Sequence, residues 1–447
     1  MKRSKTLQIG WPGMAAAVLL AAALSPNAPA QSGRVIPTPT PTPTPEAVRT
    51  PKVEEPKFVP DPNAEKYRLV FATRYRGNSF STRTYDEMVP VLRAAFDDFI
   101  EGLNRAGAQG YRVVTSLKGD PAVVALDEAQ YEYAWTHTRS PDATHKPGFA
   151  GAYGRLAKKG FRLAAHSMLY ASCNYYGGAV PGEPYMQDCE YGDFFLFERR
   201  KGSESPREYA LADTKRGGRG KNQTDEDVLT AAVRTKLAAG FSPAHLLSKS
   251  EILLEREPPD PALAEAGAEV RVVRSANLWD SDELPKRVNA LARQGFRLAL
   301  AGHKIALMYR RPGTPPPLTY VWLKSSKKDF EKELARLQEA GAVFRSTYPD
   351  ETGARRALIF EQGQPARREY RLLRFELQTR HNAAEQVMET TLAPASAGAQ
   401  KELNRLAAEG FVVLALFDAD NYKITWPGKG REGLVAEEFG VLLERQR

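Results

Sequence analysis

The sequence predicts an α+β fold: about six tandem β-α-β-β repeat units, each a small, mainly antiparallel sheet with one helix, after a signal peptide and a Pro-Thr linker. Three observations carry this reading. Residues 403–413 read as a helix ending at a glycine, followed by an aromatic residue that opens a strand. The plan recurs over 103–113, 153–163, 288–298 and 334–344, and more loosely over 233–241. Its glycines, Gly110, Gly160, Gly240, Gly295, Gly341 and Gly410, lie roughly 46 to 80 residues apart, the mark of tandem supersecondary units. Third strands end alike, as Phe197-Glu198-Arg199, Leu254-Glu255-Arg256, Met308-Tyr309-Arg310 and Leu443-Glu444-Arg445.

The front of the chain reads as an export signal. Lys2, Arg3 and Lys5 give a basic start, residues 14–24 an apolar run, and Ala28-Pro29-Ala30 small residues at the cleavage spacing. The run falls short of the ~20 residues that span a bilayer, so cleavage after Ala30 is expected, with no membrane span left; an uncleaved anchor is the other reading. A periplasmic or secreted protein follows. Residues 31–61 form a linker in which 37–45 alternate proline with threonine, a composition that favours a stiff extended form and permits glycosylation. Loss of the signal removes three positive charges and lowers the formal net charge from +9 to +6. So mild and dispersed a surplus does not indicate nucleic-acid binding.

The units are expected at 62–128, 129–201, 206–257, 268–312, 317–362 and 367–447. First strands are predicted over 67–76, 131–138, 208–215, 270–275, 318–324 and 369–375. Helices follow from apolar stripes: Leu92, Phe96, Phe99 and Leu103; Leu284, Val288 and Leu291; Phe330, Leu334 and Leu337. Thr224 with Asp227 and Asp280 with Glu283 have the spacing of reciprocal caps, and Pro285 suits a first turn. Each repeat glycine is expected to end its helix in the left-handed conformation that a Cβ disfavours. The aromatic after it, Tyr111, Phe161, Phe241, Phe296 or Phe411, is expected to pack on the helix just completed, whereas the fifth unit carries Ala342 and must pack differently. A unit of about 45 residues makes a meagre core. Its helix covers one sheet face only, so the other face and the edges need a neighbour; the strand order is not readable.

At these residues the chain resembles a small bacterial family, domain of unknown function 4177, whose pattern is a strand, a helix running L-N-x-L-x-x-x-G-W-E-L-V, and a hairpin with an apolar-basic tail. Leu403-Asn404-Arg405-Leu406 through Gly410-Phe411-Val412-Val413 is the nearest copy, then Leu103-Asn104 through Gly110-Tyr111-Arg112-Val113. Phe or Tyr stands for the family's tryptophan, and Arg112, Arg162 or Arg297 for its acid. The resemblance implies a fold and supplies no catalytic residues.

No residue pattern points to a catalytic or metal centre, and no cofactor is implied. The six histidines, His137, His145, His166, His245, His303 and His381, lack partners at zinc-site spacing. His166, His245 and His303 follow repeat glycines at unequal offsets, which argues against a stacked site. The tract Arg216-Gly217-Gly218-Arg219-Gly220-Lys221 reads as a solvated loop or an anion contact, and Asp418, Asp420 and Asn421 as a turn or a calcium-attracting cluster. Cys173 and Cys189 share one loop. An oxidising compartment would let them form a disulfide across ~17 residues, worth about 3 kcal/mol; two buried thiols are the alternative. The best candidate binding loop surrounds them, with Tyr170, Tyr175, Tyr176, Tyr185 and Tyr191. Tyrosines give contact area at low entropic cost, although packing on a neighbouring unit would also explain them.

These readings favour an exported, non-enzymatic repeat protein that acts as a binding module for a protein or cell-envelope component. An envelope hydrolase, or an enzyme inhibitor, with a site between units is the competing class.

Overall fold

The computed structural model describes residues 58–446 apart from 77–84, 118–120, 140–146, 178–183, 215–222, 249–250, 257–268, 276–281, 303, 312, 314–316, 326–327, 350–355, 364–366, 383–384, 386 and 426–432. The expected signal peptide, most of the linker, the Arg216–Lys221 tract, His145, Asp280 and His303 lie outside the described residues.

Every unit has the predicted order of strand, helix, glycine, strand and strand. Unit 1 comprises β1 (Tyr67–Val70), β2 (Arg74–Arg76), α1 (Tyr85–Ala108), β3 (Tyr111–Ser116) and β4 (Ala122–Leu126). Unit 2 comprises β5 (Tyr131–Arg139), α2 (Pro147–Lys158), β6 (Arg162–Gly177) and β7 (Pro184–Arg200). Unit 3 has β8 (Tyr209–Asp213), α3 (Asp225–Ala238), β9 (Ser242–Ser248) and β10 (Glu251–Glu255). Unit 4 has β11 (Glu269–Arg274), α4 (Glu283–Ala292), β12 (Arg297–Gly302) and β13 (Ile305–Arg310). Unit 5 has β14 (Thr319–Lys324), α5 (Phe330–Glu339), β15 (Val343–Pro349) and β16 (Arg356–Gln362). Unit 6 has β17 (Arg368–Asn382), β18 (Val387–Leu392), α6 (Ala399–Ala408), β19 (Val412–Thr425) and β20 (Gly433–Gln446).

All sheets are antiparallel, and in each the third strand lies between the first and the second. This order explains the apolar runs of the third strands. In β7, Phe194 and Leu196 join the core around α1, while Phe195 and Phe197 join the core around α2. In β13, Ile305 and Leu307 pack with α3, and Ala306 and Met308 with α4. Because side chains alternate across a strand, each central strand serves its own helix on one face and the preceding unit's helix on the other. The succession closes on itself. Val123 of β4 packs with Leu403 and Leu406 of α6, and Tyr67 of β1 lies in the same core. The six cores therefore form a closed ring.

Outer edges are covered by a recurring side-chain clasp. Asn104 accepts from the Tyr133 amide (2.7 Å) and donates to its carbonyl (3.2 Å). Asn289 does the same for Tyr320 (2.6 and 2.9 Å), and Asn404 for Tyr67 (both 3.0 Å), the last across the closing junction. Elsewhere Gln338 accepts from the Tyr370 amide (2.7 Å), and Thr230 with Arg234 binds Val272 and Val270 (3.0 and 3.1 Å). The clasped tyrosines reach inward. Their hydroxyls accept from the amides of Val113, Leu298, Phe344 and Val413 at 2.8–3.2 Å, each beside a β-bulge in the preceding unit's second strand. Burial raises the pKa of all four phenols, Tyr133, Tyr320, Tyr370 and Tyr67.

The six repeat glycines adopt φ between +67° and +90°. The terminal arginines of the third strands seal the turns. Arg199, Arg256, Arg310 and Arg445 lie 4.6–4.8 Å from the ring centroids of Phe161, Phe241, Phe296 and Phe411. Each also donates to a carbonyl at its helix end (Lys159, Ala239, Gln294, Glu409) and pairs with a first-strand glutamate (Glu132, Glu208, Glu269, Glu369). The fifth unit has no ring after its glycine: Phe344, two residues further on, meets Phe360 edge-on, while the Ala342 carbonyl accepts from Tyr370 Oη (2.8 Å) as the Tyr111 carbonyl does from Tyr133 Oη (3.2 Å).

Four local expectations are corrected. The first strand of unit 1 breaks after Val70; Asp98 takes the Thr73 amide, and β2 leaves to pair with β18 of unit 6. That addition makes the unit 6 sheet five-stranded, in the order β19-β20-β17-β18-β2. Asp418 and its neighbours do not form a turn: β19 runs through them, with an irregularity between Asp418 and Tyr422. The helix cap expected at Asp280 falls instead at Asp282, which makes no capping side-chain bond, whereas the Thr224–Asp227 box is present as expected.

Two outcomes test this fold. A Cβ at Gly240 meets nothing within 4 Å, whereas one at Gly110 meets the Phe58 ring at 2.5 Å. Gly240→Ala should therefore cost only the left-handed backbone penalty, about 1–2 kcal/mol in denaturant unfolding, and Gly110→Ala clearly more; equal losses would refute the packing at Gly110. Asn404→Leu keeps the branched shape but strips the closing clasp. It should cost about 1–3 kcal/mol and speed exchange of the Tyr67 amide, and unchanged exchange would contradict the clasp.

Candidate functional site

A repeat protein advertises function where one copy departs from the plan that the others share. Unit 6 departs by its inserted β18 and the added β2, and unit 2 by the length of two of its strands. Its strands β6 and β7 stay paired beyond the end of β5, which stops at the Arg139–Gly192 pair, as far as Gly177–Pro184. They form a two-stranded ribbon, with no third strand paired to it among the described residues. The register sets Cys173 opposite Cys189, Tyr170 opposite Tyr191, Tyr175 opposite Met186 and Tyr176 opposite Tyr185. The side chains of residues 167–193, and with them the expected disulfide, lie outside the described set.

The second departure is at the junction with unit 3. Six residues before the repeat glycine, where units 1, 4 and 6 place the clasping asparagine, unit 2 has Gly154. Beside it, β8 borders a cavity of about 520 Å³ lined by Gly154, Arg155, Lys158, Arg207, Glu208 and Tyr209. Glu208 pairs with Arg256 at 2.9 Å, and Arg207 Nε donates to the Gly160 carbonyl at 3.3 Å. Arg155 and Lys158 are exposed and have no ion-pair partner among the described residues. A second cavity of about 540 Å³, between α3, β11 and α4, differs in kind. Thr230 and Arg234 span its edge strand, and Arg287 and Arg271 are paired with Glu226 and Glu269 at 2.6 and 2.8 Å.

The inner contacts of the 2–3 junction also differ. The bulge amide of Leu163 is met not by a tyrosine hydroxyl but, at 3.4 Å, by Glu255, whose carboxylate also accepts from Tyr153. His245 Nε2–H donates to the Leu163 carbonyl at 2.9 Å. Burial lowers the His245 pKa to about 4, a fall that the Leu163 bond opposes and the nearby His166 reinforces. His166 lies face to face with Phe195, 4.7 Å between ring centres. The junction thus brings together two histidines whose unequal offsets argued for separation. His137 sits 5.4 Å from the Trp135 ring, and His381 is buried in β17.

Two arginine pairs converge on buried glutamates at the 1–2 and 4–5 junctions. Arg112 and Arg162 bind Glu198 at 2.9 and 2.5 Å; Arg297 and Arg345 bind Glu361 at 2.5 and 2.8 Å. Burial dominates at Glu198 and raises its pKa, since only Oε1 is bonded and Oε2 is buried without a partner. At Glu361 burial also acts upward, but both oxygens are engaged by Arg345, with Arg297 and Tyr320 adding to it, and the net shift is downward. These acids hold junctions together. Among the described residues no group of three or more His, Cys, Asp or Glu is placed to hold a metal ion, and no helix is long and apolar enough to cross a membrane.

Sequence reasoning missed the clasp. Its signal was present, an asparagine at one offset before three of the six glycines, on the polar side of each stripe. Comparison with protein-family models, curated proteins and solved structures gave no match. The resemblance to domain of unknown function 4177 therefore rests on the motif residues alone.

The His245 environment has a definite sign. Its folded pKa lies below the unfolded 6.5, so the unfolded chain binds more protons and stability falls as pH drops from about 6.5 towards 4. Acid unfolding of His245→Gln, compared with the parent chain, should show a shallower loss across that window. Identical slopes would remove His245 from the junction's energetics.

Proposed function

We propose that this chain is an exported, non-enzymatic binding module, periplasmic or secreted, whose closed ring holds the unit 2 ribbon out for contact with a protein or cell-envelope component. The observation that supports this reading most is the ribbon itself. It extends β6 and β7 well past the end of β5, the strand that completes their sheet. An unsupported two-stranded ribbon is marginal alone in water, and a Cys173–Cys189 bond at the opposed register would hold it in shape. The polar network supports the same reading: the buried glutamates Glu198, Glu361, Glu369 and Glu444 all face arginines and are occupied in holding the ring.

Two measurements test this. Peptide mapping under non-reducing conditions should recover Cys173 linked to Cys189, and reductant should hasten cleavage within 170–191 while leaving global melting in place; cleavage indifferent to reductant would argue against the cross-link. Joining Met168 to Asp193 through a short turn should abolish capture of one envelope component that the full chain retains. Undiminished capture would show that the ribbon is not the contact surface.

A further inference from the structure

We propose that the glycine-turn end of unit 2, with the adjoining turn of unit 1, is a docking surface for an anionic phospholipid membrane, an arrangement that directs the ribbon away from the bilayer. It rests on the exported, envelope-facing reading above but not on the ribbon as contact surface. The surface starts from a helix without acids. In α1, α5 and α6 the arginine five residues before the repeat glycine pairs with a glutamate of its own helix: Arg105 with Glu101, Arg336 with Glu333 and Arg405 with Glu402. In unit 2 that position is Arg155, and residues 147–158 contain no Asp or Glu. Lys158 and Lys159 follow it. Across the turn, β7 runs out through Arg200 into Lys201. All five residues are exposed, and none has an ion-pair partner among the described residues. The acids close by are taken: Glu132 and Glu204 pair with Arg199, and Glu208 with Arg256.

Contacts join these segments into one surface. Arg199 Nη1 donates to the Lys159 carbonyl (2.8 Å), the Arg207 amide donates to that of Ala157 (2.9 Å), and the Ser203 carbonyl packs against Gly160 where a Cβ would stand. The Lys201 amide donates to the Gln130 carbonyl (2.8 Å), and Gln130 Nε2 to the Ala108 carbonyl in the unit 1 turn (2.6 Å). That turn holds the Phe58 ring against Gly110, so the linker joins the ring within this surface. Next to Phe58 stands Val59, 79% exposed, the most exposed large apolar residue among those described. Clustered cations beside an apolar side chain are what holds a protein surface to anionic headgroups. The cations alone would suit an acidic protein equally. Val59 and the entry of the linker favour a bilayer, whose interface takes an apolar side chain between its headgroups. The 17-residue β7 carries the ribbon tip at its other end, at Pro184; at ~3.3 Å per residue it sets that tip up to about 50 Å from the headgroups.

The test sediments the full mature chain with vesicles of phosphatidylcholine, alone or mixed with phosphatidylglycerol, at low and high salt. The mixed vesicles should bind the chain, the neutral ones should not, and high salt should release it. Lys158→Glu with Lys159→Glu should weaken binding about tenfold or more, as should Arg200→Glu with Lys201→Glu, each with an unchanged melting temperature. Lys286→Glu with Lys332→Glu makes the same charge change on exposed residues near the starts of α4 and α5, away from the proposed surface, and should keep the parent affinity. Deleting the ribbon should leave vesicle binding intact, so failure of the ribbon as a contact surface reads out separately. No binding to the mixed vesicles, equal binding to the neutral ones, or equal losses in the control pair would overturn the proposal. Binding to polyglutamate but not to vesicles would mark an acidic protein as the partner and overturn it. Displacement from the vesicles by millimolar glycerol phosphate would reduce the surface to a single anion pocket and overturn it too.

Discussion

Phe194 and Leu196 belong to one core while Phe195 and Phe197 belong to the next, and that division is the constraint from which the rest of the molecule follows. A strand apolar on both faces cannot be satisfied by one helix. Burying a large side chain on each face contributes about 1.5–3 kcal/mol apiece, a gain that each small unit obtains only when a neighbour's helix covers its second face. The units are thereby obligate partners. The glycine turn, the arginine stacked on the following aromatic ring and the asparagine clasp all serve this end, for each fixes a helix between two sheets.

Much of this was legible in the sequence, and the reasons are local. A helix that must stop and reverse into a strand announces itself with Gly410-Phe411, and the repetition of that signal makes the unit visible. The need for a neighbour follows from size alone. Closure was not legible, since it rests on Tyr67 meeting Asn404 across 337 positions; no periodicity encodes whether an array ends or returns. Nor was the transfer of β2 to unit 6, which depends on a break at residues 71–73 and on β18, a strand without counterpart in units 2 to 5 among the described residues. The central place of the third strand was hinted at by its unbroken apolar runs, such as Ile252-Leu253-Leu254, but runs of that kind do not name their two partners.

The candidate surfaces were legible in part, and in the inverse sense. Tyrosines and cysteines drew attention to residues 170–191, where the backbone register now sets Cys173 against Cys189. The cavity beside β8 was not legible, because α2 and residues 207–209 form it together. Gly154 is one glycine among 34, and it acquires meaning only when aligned with asparagines whose role the junctions disclose. His166 and His245 were separated by counting along the chain and joined by packing across it.

A cyclic arrangement of this kind has no terminal copy. An open solenoid must protect its first and last repeats with polar caps, and it can gain or shed a repeat without injuring those that remain. Here Val123 and Leu403 meet as any other consecutive pair does. Removing or duplicating one copy would change the angle at every interface at once, so the copy number is locked by curvature. Divergence is left to act within single copies, as it has in the second.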